Sequence, residues 1–438
     1  MTVKISSVPL SNLADWDSLK KELAPKANSG PHAGLITQLS EARAVSAIIE
    51  HEYLDQDFTE EFSKFYSKLF RRHTKVCRRF HFFSADVAPI LKLQDPQKLS
   101  EELQNTASDH YLGFIVVRPV IHAPIGRTVI SAPKSPAGMA SKLLVRATYE
   151  VHLLGASFKV EGVPMIQQDT RVGACAQASI WIAGRHFHAK HRGPWFSVAQ
   201  ITEEALKPVD TMLSLSLPAG SAFLGPDNMV RALRAMAREP IPYIRQDLFG
   251  RGKTGWALDP SAAICRYIDS GIPVILGLAP LDPKTSDVGH AVIAVGQTSR
   301  TLPADHKLPK NATRSEFCEA FLVNDDQRGP YLRLPVSPTS TVSQSPYNIA
   351  THLQYLLVPL PNKVYLPAET AEKISWDLLR YYVQEIPKLK TDSTFDLGAS
   401  ATLSDDFVIA IADEKAIART YLTYGWKYKQ RVVRNTCS

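Results

Sequence analysis

Between residues 57 and 72, apolar side chains recur every three or four positions. Phe58, Phe62, Phe65, Tyr66 and Leu69 form one stripe, the spacing of an amphipathic helix with a single buried face. Asp57 and Glu60 stand in a capping-box relation at its start. Arg71, Arg72 and His73 end it with the charge that a helix C-terminus favours. β-Branched and aromatic runs then predict strands at 78–84 and 111–120. The Pro/Gly/Ser-rich stretch 124–143 reads as a loop, and 143–163 reads as two strands turning near Gly155.

Further on, the pattern predicts helices over 175–184, closing near Gly184, and over 197–206, 228–240 and 260–271, the last capped by Gly271. Apolar runs at 273–280, 290–298, 321–326, 331–336 and 354–366 read as strands. Residues 376–386 read as helix, and 407–433 mixes both patterns. The basic stretch 301–317 and the Ser/Thr/Pro stretch 336–348 are expected loops, and no internal repeat is present. The whole is an α+β chain.

Composition narrows the class. The chain has 438 residues, 45% hydrophobic and 21% charged, enough for a sizeable core in two to three domains or in one large domain with extensions. A net charge of +7 permits anionic partners without requiring them. The start lacks an apolar signal region, and no stretch approaches the roughly 18 apolar residues of a membrane span. The five cysteines are scattered, with no CxxC pair, so neither a disulfide scaffold nor a Cys-rich zinc site is expected. These features predict a reduced, cytoplasmic protein with no membrane partner.

Cys175 stands between small residues, Gly173, Ala174 and Ala176, at the start of a helical run. A helix N-terminus and a nearby imidazole acidify a thiol, and first-turn amides can hold an oxyanion. His290 follows a glycine and opens an apolar strand, where a base could project from a sheet edge. Asn324, Asp325 and Asp326 end the next strand and could fix the imidazole tautomer. Singly, each has a plainer reading: a core thiol, a satisfied core histidine, a turn aspartate. Their order along the chain is what points to a catalytic triad.

In this order, with "GHAVIAVG" and "NDDQRGPY" as motifs, residues 160–360 resemble the papain-like cysteine peptidases, particularly the bacterial branch of bacteriocin-leader peptidases. The resemblance implies a papain-like core, in which a helix bearing the nucleophile packs on an antiparallel sheet bearing the base. It implies Cys175 as nucleophile, His290 as base, Asp325 or its rival Asn324 as orienting group, and Gln168 or Gln167 as oxyanion donor. The chain departs from the family pattern in three places. Gln168 and Gln167 lie seven and eight positions before the cysteine rather than six, Ala176 replaces a glycine after it, and Asp326 stands where proline is usual.

The implied organisation is an N-terminal α+β region (1–140) of unassigned role, a catalytic domain (141–360) and a C-terminal α/β extension (361–438). The implied function is cleavage of a peptide or isopeptide bond in a protein or peptide substrate. The alternatives are a transglutaminase or acyltransferase using the same triad, or a non-catalytic, pseudo-peptidase binding module. The oligomeric state is left open.

Other motifs are weaker. His186, His188 and His191 invite a zinc reading, since an H-x-H pair on a strand can hold metal. No cysteine or carboxylate stands at a ligand spacing, so no metal and no cofactor is expected. "GRGKTG" at 250–255 has Asp247 where a phosphate loop needs its first glycine. Arg71, Arg72, Lys75, Arg78 and Arg79 lie among aromatics, a nucleic-acid-like composition that also suits a helix end followed by a half-buried strand. Nucleic acid is not the expected partner. Asn311 begins a glycosylation sequon, without other signs of secretion.

Overall fold

The computed structural model describes residues 4–24, 30–70, 72–169, 175–207, 224–246, 255–279, 289–301, 314–362 and much of 364–381. Its first half is built on β1 (Ile5–Pro9), α1 (Leu13–Leu23), α2 (His32–Glu41), β2 (Ser46–Tyr53), α3 (Gln56–Lys64), β3 (Cys77–Phe83), α4 (Pro96–Ala107), β4 (Tyr111–Val117) and β5 (Ile125–Ile130). The five strands form an antiparallel sheet in sequence order.

Next come β6 (Met139–Leu143), β7 (Ala147–Leu153), β8 (Ala156–Gly162), α5 (Cys175–His191), α6 (Val198–Ala205), α7 (Pro226–Ala235), β9 (Arg238–Ile244) and α8 (Pro260–Asp269). They are followed by β10 (Val274–Leu278), β11 (His290–Arg300), β12 (Cys318–Asp325), β13 (Gly329–Pro335), α9 (Ile349–His352) and β14 (Leu353–Pro361). The second sheet runs β13-β12-β11-β10-β14-β9. β10 pairs with the first half of β11, and β6 takes over the same edge from Gly296 to Arg300. The chain is α+β with antiparallel sheets.

Strand period explains how the layers join. On β3 and β4, Phe80, Phe82, Ile115 and Val117 face one core, while Phe83, Phe114 and Val116 face another. The first core continues without a break into Trp181 of α5 and into Leu276, Val292 and Phe321 of the second sheet. α3, α4 and the β7–β8 hairpin cover the other face. On β8, Ala156, Phe158 and Val160 point inward between exposed residues; each large side chain so buried contributes about 1.5–3 kcal/mol. The hairpin turns at Leu154 and Gly155, both at positive φ, as a tight two-residue turn demands.

Several expectations need correction. The stretch 124–143 is not a loop throughout, because β5 and β6 lie in it, paired with β4 and β11. The helix of residues 57–72 gives way after Lys64 to one 3₁₀ turn, Tyr66–Lys68. Its N-cap is Asp55, which accepts the Phe58 N–H at 3.1 Å, so the Asp57–Glu60 box is not formed. Asp57 is instead buried, where its Oδ1 accepts the Trp181 Nε1–H at 2.8 Å and pairs with Arg185. The helix that starts at Cys175 does not close at Gly184 but runs to His191. Gly184 allows close packing, since a Cβ there would lie 2.2 Å from Met236 Cε. The three histidines expected on a strand are therefore on α5.

The boundary drawn at 140/141 falls within β6. At the start of the C-terminal extension, backbone over 368–375 is helical. It is held by Ala368 N–H to Tyr267 Oη at 3.2 Å and by an Arg266–Glu372 pair. The patterns read at 407–433, the glycosylation sequon, and all of "GRGKTG" but Gly255 lie outside the described residues. Among the described residues, no helix is long and apolar enough to cross a membrane.

Candidate active site

Cys175 is the first residue of α5, a helix buried almost all round and packed against β11. Gly173 and Ala174 lie outside the described residues. Cys175 is half-buried, whereas Cys77, Cys265 and Cys318 are buried. Its sulfur accepts the Ala291 backbone N–H at 3.2 Å. That amide is available because β11 begins here, with Ala291 opposite Gly277 and His290 opposite Leu278.

His290 and Asp325 meet because β11 and β12 are antiparallel neighbours: the head of one strand lies beside the tail of the next. His290 Nε2 is 3.0 Å from Asp325 Oδ1, and both residues are buried. Nε2 makes no directed hydrogen bond, so the contact is an ion pair. Burial alone would lower the imidazole pKa. Contacts with Asp325 and with the Cys175 sulfur outweigh burial and raise it to about 11. Asp325 is itself anchored, its Oδ1 accepting the Gln327 N–H at 2.9 Å.

Asn324, the rival orienting group, is committed elsewhere. Its Nδ2 donates to Pro164 O at 3.1 Å and its Oδ1 accepts the Tyr331 N–H at 3.0 Å. The second bond helps hold Tyr331 at φ 55. Asn324 shapes the turn, and Asp325 faces the base.

The two glutamines separate in the same way. Gln167 is built into the first sheet: its N–H donates to Ile125 O at 3.0 Å, and its side-chain Oε1 accepts the Ile125 N–H at 3.2 Å. The Gln168 side-chain amide, Nε2, is buried with no hydrogen-bond partner. A buried amide left unpaired is costly, and of the two glutamines only Gln168 has a free donor.

Three further residues surround the Cys175, His290 and Asp325 side chains: Asp326, which the sequence placed at the same turn, and two tyrosines that it did not single out. Asp326 is buried beside His290 and Asp325 with Oδ1 unpartnered. Burial raises its pKa to about 7, opposed by the His290 charge and reinforced by Asp325. Tyr355 lies with its ring over Gly277, where a Cβ would come within 2.2 Å of Cε1. Burial pushes its phenol up to about 12, with the charge at Cys175 adding to the effect. Tyr347 is tilted over His290 with ring centroids 6.2 Å apart. The readable signal was Gly277, a glycine inside an apolar strand, which marks close approach of another group.

Donor atoms of His290, Asp325 and Asp326 all lie within 4.8 Å of one another, the one such grouping among the described residues. It is the place where a cation could be held, and an imidazolium already supplies positive charge there. His186 is buried on α5 with Nε2 3.3 Å from Gly271 O, and His188 Nδ1 is 2.7 Å from Gly193 O. Of the basic segment, Arg78 pairs with Glu22, and Arg79 pairs with Glu50 while lying over the Tyr53 ring. No protein-family model matches the chain, and no curated protein matches it.

Proposed function

We propose that the chain is a thiol-dependent hydrolase with a papain-like core that cleaves a peptide or isopeptide bond in a protein or peptide substrate. The observation that carries this reading is the grouping of Cys175, His290 and Asp325: one imidazole interacts with the half-buried sulfur and with an anchored carboxylate at once. The papain-like assignment is supported by a helix that begins at the cysteine and packs on an antiparallel sheet holding the other two residues.

In the reaction, His290 carries the proton and the Cys175 sulfur attacks the carbonyl carbon as thiolate. The carbonyl π electrons move to oxygen, which is stabilised by first-turn amides of α5 and by Gln168 Nε2. His290 gives its proton to the leaving amine as the C–N bond breaks, leaving a thioester. It then takes a proton from water as the water attacks the thioester, and the proton returns as the thiol leaves. Asp325, 3.0 Å from Nε2, holds the charged ring beside the sulfur.

The test is labelling by an electrophilic thiol probe at neutral pH, with the wild type, Cys175→Ala and His290→Ala compared by mass spectrometry. Cys175 should label far faster than any other cysteine, and His290→Ala should abolish the difference. Wild-type labelling no faster than at the other cysteines would end the hydrolase reading. Capture of an added amine by the acyl group would redirect it to acyl transfer.

A further inference from the structure

The N-terminal region touches the site at two points through one short segment. On α2, Gly34 lies backbone to backbone against the turn that follows Asp325: a Cβ at Gly34 would be 2.3 Å from Arg328 O and 3.2 Å from Gly329 Cα. Gly329 answers it from the other side at φ +127, where a Cβ would be 3.0 Å from Gly34 Cα and 3.2 Å from Pro31 O. The turn transmits such a contact, because Arg328 N–H donates to Asp325 O at 3.3 Å and Asp325 pairs with Gly329 across the strands. Four residues earlier, Gly30 at φ +145 lies so close to Gln167 that a Cβ would be 3.2 Å from its Nε2. Gln167 immediately precedes the glutamine whose amide is unpaired.

Glycine within a helix is destabilising relative to alanine, so the missing Cβ at Gly34 is what the position requires. α2 is held in place by Leu35 and Leu39, both in the core shared with the second sheet. We propose that residues 30–34 are a built-in positioning element of the site, with Gly34 setting where Asp325 meets His290; this rests on the hydrolase reading of that site. The N-terminal region, whose role is unassigned from sequence, thereby becomes part of the catalytic unit, and Gly34 is a positioning residue acting through Asp325.

The experiment is titration of the His290 imidazole by histidine-selective NMR in the full chain. The groups facing that ring are Cys175, Asp325, Asp326 and Tyr347, and Arg328 faces Asp325. Gly34→Ala should lower the proton affinity of His290 at least tenfold. Asp325→Asn should lower it further, and the double variant should match Asp325→Asn alone, as required if Gly34 acts through that carboxylate. Gly225→Ala, where the nearest atom to the new Cβ is 3.5 Å away, should titrate as wild type. Leu35→Ala loosens α2 without adding an atom at the contact and should shift the titration in the same direction; it decides the matter if Gly34→Ala does not fold. A folded Gly34→Ala or Leu35→Ala that titrates as wild type, or additivity with Asp325→Asn, would overturn the proposal. The NMR readout reports the contact whether or not any bond is cut, so failure of the hydrolase reading would be seen separately, in the probe labelling.

Discussion

His290 and Asp325 are joined across two neighbouring strands, Nε2 to Oδ1 at 3.0 Å, while the adjacent Asn324 turns away to bind backbone at Pro164 and Tyr331. The two residues therefore have separable consequences. Asp325→Asn should reduce turnover on the order of 10²–10⁴-fold by removing the charge that orients the base, with a small change in melting temperature. Asn324→Ala should do the reverse, costing about 1–3 kcal/mol by unpairing two buried backbone groups. Steady-state kinetics beside thermal melts of both variants checks the contrast; equal kinetic losses would contradict it.

The glutamines offer a second contrast. Gln168→Ala should lower kcat on the order of 10²-fold, the size expected when one oxyanion donor is lost, and should leave stability unchanged or improved, since an unpaired buried amide goes with it. Gln167→Ala breaks a bond to Ile125 N–H and should lower stability instead. Denaturant melts and kcat for the pair would show whether the donors are assigned the right way round.

This contrast shows why the sequence left the choice open. Gln167 bonds β5 through its backbone and side chain while the adjacent Gln168 amide bonds nothing, so their roles depend on which of them meets β5. Nothing within a few residues of either reveals that. The His290–Asp325 meeting was readable, because consecutive apolar strands joined as antiparallel neighbours bring the head of one to the tail of the next. β6 was not readable, since its partner is the distal half of β11, more than 150 residues further on. The continuation of α5 past Gly184 was hidden because the methionine that fills the space belongs to the end of α7.

Asp326 predicts a pH-dependent stability. Its folded pKa, about 7, lies above the ordinary 3.8, so the folded state binds that proton more tightly. The cost of ionising it is absent below pH ~3.8, grows up to about pH 7 and is constant above. Asp326→Asn should therefore leave the melting temperature unchanged at pH 4 and raise it at pH 8, with a ceiling of roughly 4 kcal/mol at about 1.4 kcal/mol per pH unit. A gain of equal size at both pH values would show that ionisation is not its source.

Gly277 bears on the same site through packing. Gly277→Ala puts a methyl group into the Tyr355 ring and should cost about 1–3 kcal/mol as an overpacked core position. Tyr355→Phe, which removes only the hydroxyl that donates to Met229 Sδ at 3.4 Å, should cost less. Combining Gly277→Ala with Tyr355→Ala should recover part of the loss. Chemical denaturation of the three variants would measure this, and no recovery in the combination would mean the clash lies elsewhere.

The buried pair between Asp57 and Arg185 has a consequence for the order in which the molecule is made. On the ribosome, Asp57 emerges 128 residues before the guanidinium that will neutralise it, and its other partner, Trp181, comes 124 residues later. Until then Asp57 lacks its counter-charge, although the neighbouring acids Glu61 and Asp55 already have theirs in Arg118 and Arg127. The first sheet and most of α3 can gather early, but Asp57 gains its partners only when the helix that begins at Cys175 arrives.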